Sequence, residues 1–155
     1  MAQVLRKLPP LTDERVLVGA DGGLANVFVY VKKGLEPKAY PVPTDAALVN
    51  QERSMFRPRV QGLQVGQALH MRNSDPFIHT VRSLSRENRP FNIGPPPGSE
   101  DREKVFTKKE GPITIKCDFN PWMIAHFFVM DHPFFAVSDA AGRCAIDGLA
   151  PGSYT

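Results

Sequence analysis

Ile113-Thr114-Ile115-Lys116-Cys117-Asp118-Phe119-Asn120-Pro121-Trp122-Met123-Ile124-Ala125-His126-Phe127-Phe128-Val129-Met130 is the stretch on which the reading of this chain turns. Ile113, Ile115 and Cys117 alternate with Thr114 and Lys116, the period-two pattern of a strand with one buried face. Residues 123–130 are almost continuously apolar, as in a strand buried on both sides. Residues 118–122 break the pattern between them. The result is strand, short loop, strand, with Cys117, Asn120 and Met123 at three-residue spacings on a loop that the sheet holds at both ends.

Working outward, the same pattern recurs. Residues 25–31, Ala-Asn-Val-Phe-Val-Tyr-Val, are rich in β-branched and aromatic side chains and read as a central strand ended by Lys32-Lys33-Gly34. Residues 67–72 alternate polar and apolar, Asn73-Ser74-Asp75-Pro76 is an Asx-type turn, and residues 78–81 resume a strand. Shorter strands are expected at 56–60, from 105, at 134–138 and at 144–146, with turns at 62–66, 139–142 and Gly148. Residues 36–45 carry Pro37, Pro41 and Pro43, which remove ladder donors, so they read as loop or edge. Thr44-Asp45 caps a short helical excursion over 44–53. Residues 86–101, with four prolines and two glycines, form a long packed loop.

Seven to nine short strands without a repeat or an internal linker describe a two-sheet antiparallel sandwich. The 155 residues suffice for one core, and 15 Pro with 12 Gly favour turns over long helices. Residues 1–15 read as an N-terminal arm and 16–155 as one domain. Nineteen basic residues against 16 acidic, interspersed, give a net charge of +3 without the basic stripe that binds nucleic acid. No run is long enough to span a bilayer as a helix. The chain as given shows no signal peptide.

The chemistry-bearing residues centre on the loop. A thiolate at Cys117 and a thioether at Met123 are soft donors suited to copper, and His79 offers an imidazole from a neighbouring strand. The structural alternative stands beside this: Cys is often a buried inert thiol, Met fills irregular core space, and a lone histidine is often hydrogen-bonded into a core. Trp122 and Pro121 read as aromatic cover over the loop or as a docking point. His126 reads as a sheet histidine, His132 as a turn-positioning acceptor, His70 as exposed and Cys144 as a core thiol, with a Cys117–Cys144 disulfide as the alternative. No serine elbow, acid–base pair or phosphate-binding glycine loop is present, so the chain reads as non-enzymatic.

Two segments taken together, Asn73-Ser74-Asp75-Pro76-Phe77-Ile78-His79-Thr80-Val81 and Ile115-Lys116-Cys117-Asp118-Phe119-Asn120-Pro121-Trp122-Met123, resemble the cupredoxins, especially the amicyanin and plastocyanin-like group. The outer parts, residues 19–27, 131–139 and 152–154, are similar to a bacterial exported subgroup with carboxypeptidase regulatory-like features. The resemblance implies an all-β, cupredoxin-like Greek-key antiparallel β-sandwich and a periplasmic or extracytoplasmic location, with a cytoplasmic one left open. It implies copper ligands at His79, Cys117 and Met123, but Asn120 stands where the pattern Cys-x-x-His-x-x-Met places a second histidine. Ser54 and Arg59 likewise stand where related chains carry a cysteine and a histidine. An amide is a poor substitute for imidazole. The expectation is a non-catalytic structural or protein-binding module with an incomplete type 1 copper site and no cofactor, engaging a protein partner or larger assembly. The alternative is copper-dependent single-electron transfer, or Cu(I) binding through His79, Cys117 and Met123.

Overall fold

A computed structural model describes residues 13–155. The arm expected over residues 1–15 lies mostly outside the described residues. Eleven strands account for the regular structure, with no helix among the described residues: β1 Phe28–Tyr30, β2 Ala47–Glu52, β3 Met55–Arg57, β4 Val60–Gln64, β5 Ala68–Asn73, β6 Val81–Ser83, β7 Asn92–Ile93, β8 Arg102–Val105, β9 Glu110–Lys116, β10 Ile124–Met130 and β11 Phe135–Val137.

Two sheets form the sandwich, one ordered β4-β10-β9-β6-β7 and the other β3-β2-β5-β8, with β1 and β11 pairing as a separate ribbon. Most pairings are antiparallel; β10 with β4 and β2 with β5 are parallel, because those pairs are joined by long excursions and not by hairpins. The architecture is the all-β two-sheet sandwich that the sequence implies, with mixed pairing.

Alternation explains the core. On β10, Ala125, Phe127 and Val129 are fully buried while Ile124, His126 and Phe128 are half-buried on the other face. Ile113 and Ile115 of the adjacent β9, and Leu69 and Met71 of β5 in the facing sheet, complete this core. Removing a side chain such as Phe127 from this interior would cost roughly 3–5 kcal/mol.

Several local expectations do not hold: residues 62–64 belong to β4 and not to a turn, and the strand expected over 78–81 begins only at Val81. Residues 47–52 form β2 and not a helical turn: Val49 and Gln51 are buried and the strand pairs on both sides, so tertiary pairing overrides the helix preference of Ala46, Ala47 and Leu48. Residues 25–31 contribute only the three-residue β1, in the ribbon and not at the centre of a sheet. Cys144 is exposed, residues 144–146 form no strand, and both cysteines are free thiols.

The ribbon lies on the outer face of the five-stranded sheet. Phe28 stacks on Phe128 of β10 with centroids 4.0 Å apart and lies 5.6 Å from Phe135. Gly62 of β4 makes this approach feasible: a Cβ there would sit 2.3 Å from the Phe135 ring.

Candidate metal centre

The site forms at one end of the sandwich, where the β9–β10 loop meets the segment between β5 and β6. The loop closes on itself through Cys117 N–H to the Met123 carbonyl (3.3 Å) and Met123 N–H to the Asn120 carbonyl (2.9 Å). Asp118 fastens it outward: its N–H donates to Thr80 Oγ1, and its carboxylate accepts from Arg82 and Asn92. Cys117, Asn120 and Met123 are all buried, as is His79.

His79 is the hub. Its Nε2 lies 2.8 Å from Asp75 Oδ2. A carboxylate here accepts, so the imidazole proton resides on Nε2 and the Nδ1 lone pair faces the loop. There Asn120 Nδ2 stands 3.0 Å from Nδ1 and 3.4 Å from Met123 Sδ. Cys117 Sγ lies 3.7 Å from the same Nδ1 and accepts from the Thr80 N–H at 3.5 Å. Phe77 packs edge-on against the imidazole.

The sequence therefore identifies three donors that the fold does bring together, and the fourth position is filled by a donor of the opposite kind. The Asn120 amide directs N–H bonds at the two neutral lone pairs, those of His79 and Met123, that a copper ion would otherwise receive. One NH₂ group with two protons satisfies two acceptors, which leaves neither buried atom without a partner.

The electrostatics follow the same contacts. Burial pushes the Cys117 thiol up, but the His79 ring and the N–H groups of Thr80, Phe119 and Asn120 outweigh it and bring the pKa down to about 7. Burial pulls His79 down, while Cys117 and then Asp75 raise it, leaving it above the ordinary histidine value. Asn120 opposes a proton on Nδ1, since a donor cannot face a donor, and so favours the Nε2–H tautomer.

Asp75 is the functional residue that sequence reasoning missed. Its carboxylate accepts three bonds, from His79 and from the N–H groups of Arg53 (2.7 Å) and Ser54 (2.8 Å). Those two residues form the β2–β3 turn with φ of 54° and 56°, a left-handed pair usually reserved for Asn and Gly. The buried carboxylate holds them there. The four-residue spacing to His79 was the available signal, hidden because Asn73-Ser74-Asp75-Pro76 reads so readily as a plain turn.

Other expected positions are simpler. His132 accepts from the Phe134 N–H through Nδ1 at 3.2 Å, as its turn-positioning role requires. His126 is half-buried on β10, and His70 contacts Glu103 and Asp101 on the outer surface. Trp122 is 45% exposed and donates its indole N–H to the Ser54 carbonyl at 3.1 Å. Among the described residues no cluster of three or more His, Cys, Asp or Glu side chains could hold a metal ion.

Comparison with solved structures bears on the fold. The chain is similar to a copper-containing nitrite reductase from Thermus scotoductus SA-01, at 21% identity and a TM-score of 0.50 over 63% of this chain and 27% of that one. It thus spans about a quarter of that enzyme's length, and the likeness concerns the fold. Further matches are a purple cupredoxin from Nitrosopumilus maritimus (20% identity, TM-score 0.45, 54% of this chain and 98% of that one) and a mutant of amicyanin in its Cu(I) form (16%, 0.48, 57% and 85%). No family model matches the chain, and no curated protein matches it. The fold is cupredoxin-like. The residues at its metal position do not fit the blue-copper ligand set, because Asn120 supplies N–H donors where that set needs a second imidazole nitrogen.

Proposed function

We propose that this domain is a non-catalytic, cupredoxin-like protein-binding module in which the Asn120 amide holds the place of a metal ion. The observation that carries the reading is the bridge from Asn120 Nδ2 to both His79 Nδ1 and Met123 Sδ. Two hydrogen bonds and the fixed loop hold the site closed by protein alone. A partner surface is available around it: Ile78, Phe119 and Trp122 are exposed, and each sits beside a residue of the site. Large fixed loops on a rigid sandwich are a common place for such contacts, and the 86–101 loop adds a second. We place the module outside the cytoplasm, in the exported subgroup its outer segments resemble.

One observation favours a second reading, Cu(I) binding. His79, Cys117 and Met123 still converge, and if Asn120 swung out they would present one nitrogen and two sulfurs, a set that suits a soft monovalent ion.

Copper titration of the purified protein separates these readings. With Cu(II) at one equivalent, no intense thiolate-to-copper band develops in the wild type, whereas Asn120→His acquires one. With Cu(I) against a chromophoric chelator, the wild type leaves the metal on the chelator. A strong stoichiometric visible band in the wild type would overturn the metal-free reading in favour of electron transfer. Stoichiometric Cu(I) capture without a band would establish the second reading.

A further inference from the structure

Beside the site, a cavity of about 530 Å³ is lined by Met55, Pro121, Trp122 and Ile124 together with Asp13, Glu14, Arg15 and Arg59. That volume falls in the range of small-molecule sites, and the lining combines four apolar residues with four charged ones.

Two carboxylates and two guanidiniums line it, and their pairing is uneven. Asp13 is taken by Arg15 through three side-chain contacts. Glu14 is taken by Arg57, which binds both of its oxygens at 2.5 and 2.7 Å. Arg59 forms no close ion pair with a carboxylate among the described residues, although its charge adds to that of Arg15 in holding the Asp13 carboxyl low. Its Nη1 donates to the Ile124 carbonyl at 3.1 Å, which holds the guanidinium against β10, and among the described residues its other N–H groups make no further hydrogen bond. A half-buried guanidinium lining a cavity beside Met55, Trp122 and Ile124 can recognise a carboxylate attached to a hydrophobic body.

We propose that this cavity binds a small aromatic carboxylate, with its ring against Trp122 and Met55 and its carboxylate on Arg59. The neighbouring His126, whose backbone N–H donates to the Arg59 carbonyl, is kept below the ordinary histidine pKa by burial and then by the Arg59 charge. It therefore stays neutral near pH 7 and adds no second cation. Because Pro121 and Trp122 lie between Asn120 and Met123, an occupant would press on the loop that closes the copper-like site. This proposal stands on the cavity and Arg59 and does not depend on whether the site holds metal.

Trp122 is the only tryptophan in the chain and a built-in reporter. Its emission is followed while the full-length protein is titrated with phenylpropionate and, separately, with the uncharged alcohol of the same skeleton. The expected result is saturable binding of both, the carboxylate about tenfold tighter, the equivalent of one charge-assisted hydrogen bond. Arg59→Met removes the preference while retaining the weak apolar binding, and Arg59→Lys keeps part of it. Absence of saturable change, equal affinity for the two probes, or an unchanged preference in Arg59→Met would overturn the proposal. Should Arg59→Met fail to fold, the wild-type preference is measured against salt: its decline supports the guanidinium contact, and its persistence overturns it.

Discussion

Two regions of this sandwich, the ribbon and the loop that bears Cys117, solve the problem of close packing in opposite ways. At the ribbon, Phe28, Phe128 and Phe135 meet through surfaces alone, and a glycine at position 62 supplies the space. At the loop, Asp75, His79, Asn120 and Met123 meet through directed bonds, each donor matched to one acceptor. Apolar contacts are tolerant of direction and sensitive to volume, whereas buried polar contacts are sensitive to any missing partner. The ribbon should respond to size, and the loop to chemistry at constant size.

The largest effect is expected from Asp75→Ala. It strips partners from His79 Nε2 and from the N–H groups of Arg53 and Ser54 together, and a buried donor left unmatched costs about 1–3 kcal/mol. With Arg53 able to turn to water, denaturant unfolding should report a loss of roughly 3–5 kcal/mol. Next comes Gly62→Ala, which should cost about 1–3 kcal/mol by overpacking and leave the NMR signals of His79 in place. A shift of those signals would mean that the two regions are not independent. Asn120→Leu, of similar size but without N–H groups, should lose about 1–3 kcal/mol by orphaning His79 Nδ1. A neutral outcome there would show that the amide bridge contributes nothing.

The smallest effect lies away from both regions and sharpens the contrast by its pH dependence. Glu110 is raised by burial but held down more strongly by the Arg86 N–H, the Ser85 hydroxyl and Asn88, so its pKa falls from 4.5 to about 2. A depressed folded-state value means that its stabilisation is complete above the unfolded value and is lost as pH falls from 4.5 toward 2. The melting temperature should drop across that window, and Glu110→Gln should flatten part of the drop. An identical pH profile in the variant would rule out Glu110 as a source of the acid sensitivity.

The meeting of the two segments was legible in the sequence, through the spacing of Cys117, Asn120 and Met123 and the resemblance that pairs them with His79. His79, Cys117 and Met123 do lie around the Asn120 side chain. The direction of the Asn120 amide was not legible, since spacing cannot tell an oxygen facing inward from an NH₂ group. Asp75 was hidden because its partners, Arg53 and Ser54, precede it by 22 and 21 residues, in a turn whose left-handed backbone neither residue type announces. At the ribbon the sequence misled. Residues 25–31 have the composition of a central strand, yet the glycine that determines where they pack is on β4, and local composition carries no information about that. The helix expected over 44–53 failed for a related reason: Ala47 and Leu48 favour it locally, but pairing with β3 and β5 decides.

The central claim is that the Asn120 NH₂ group occupies the metal position by donating to His79. Nitrogen-15 NMR of the metal-free protein, at a pH high enough for the raised His79 to be neutral, reads this directly. The expected result is a proton on His79 Nε2, an unprotonated Nδ1 with a hydrogen-bond coupling to the Asn120 side-chain nitrogen, and Asn120 amide protons that exchange slowly. A proton on Nδ1, or Asn120 amide protons exchanging as freely as those of a surface asparagine, would contradict it.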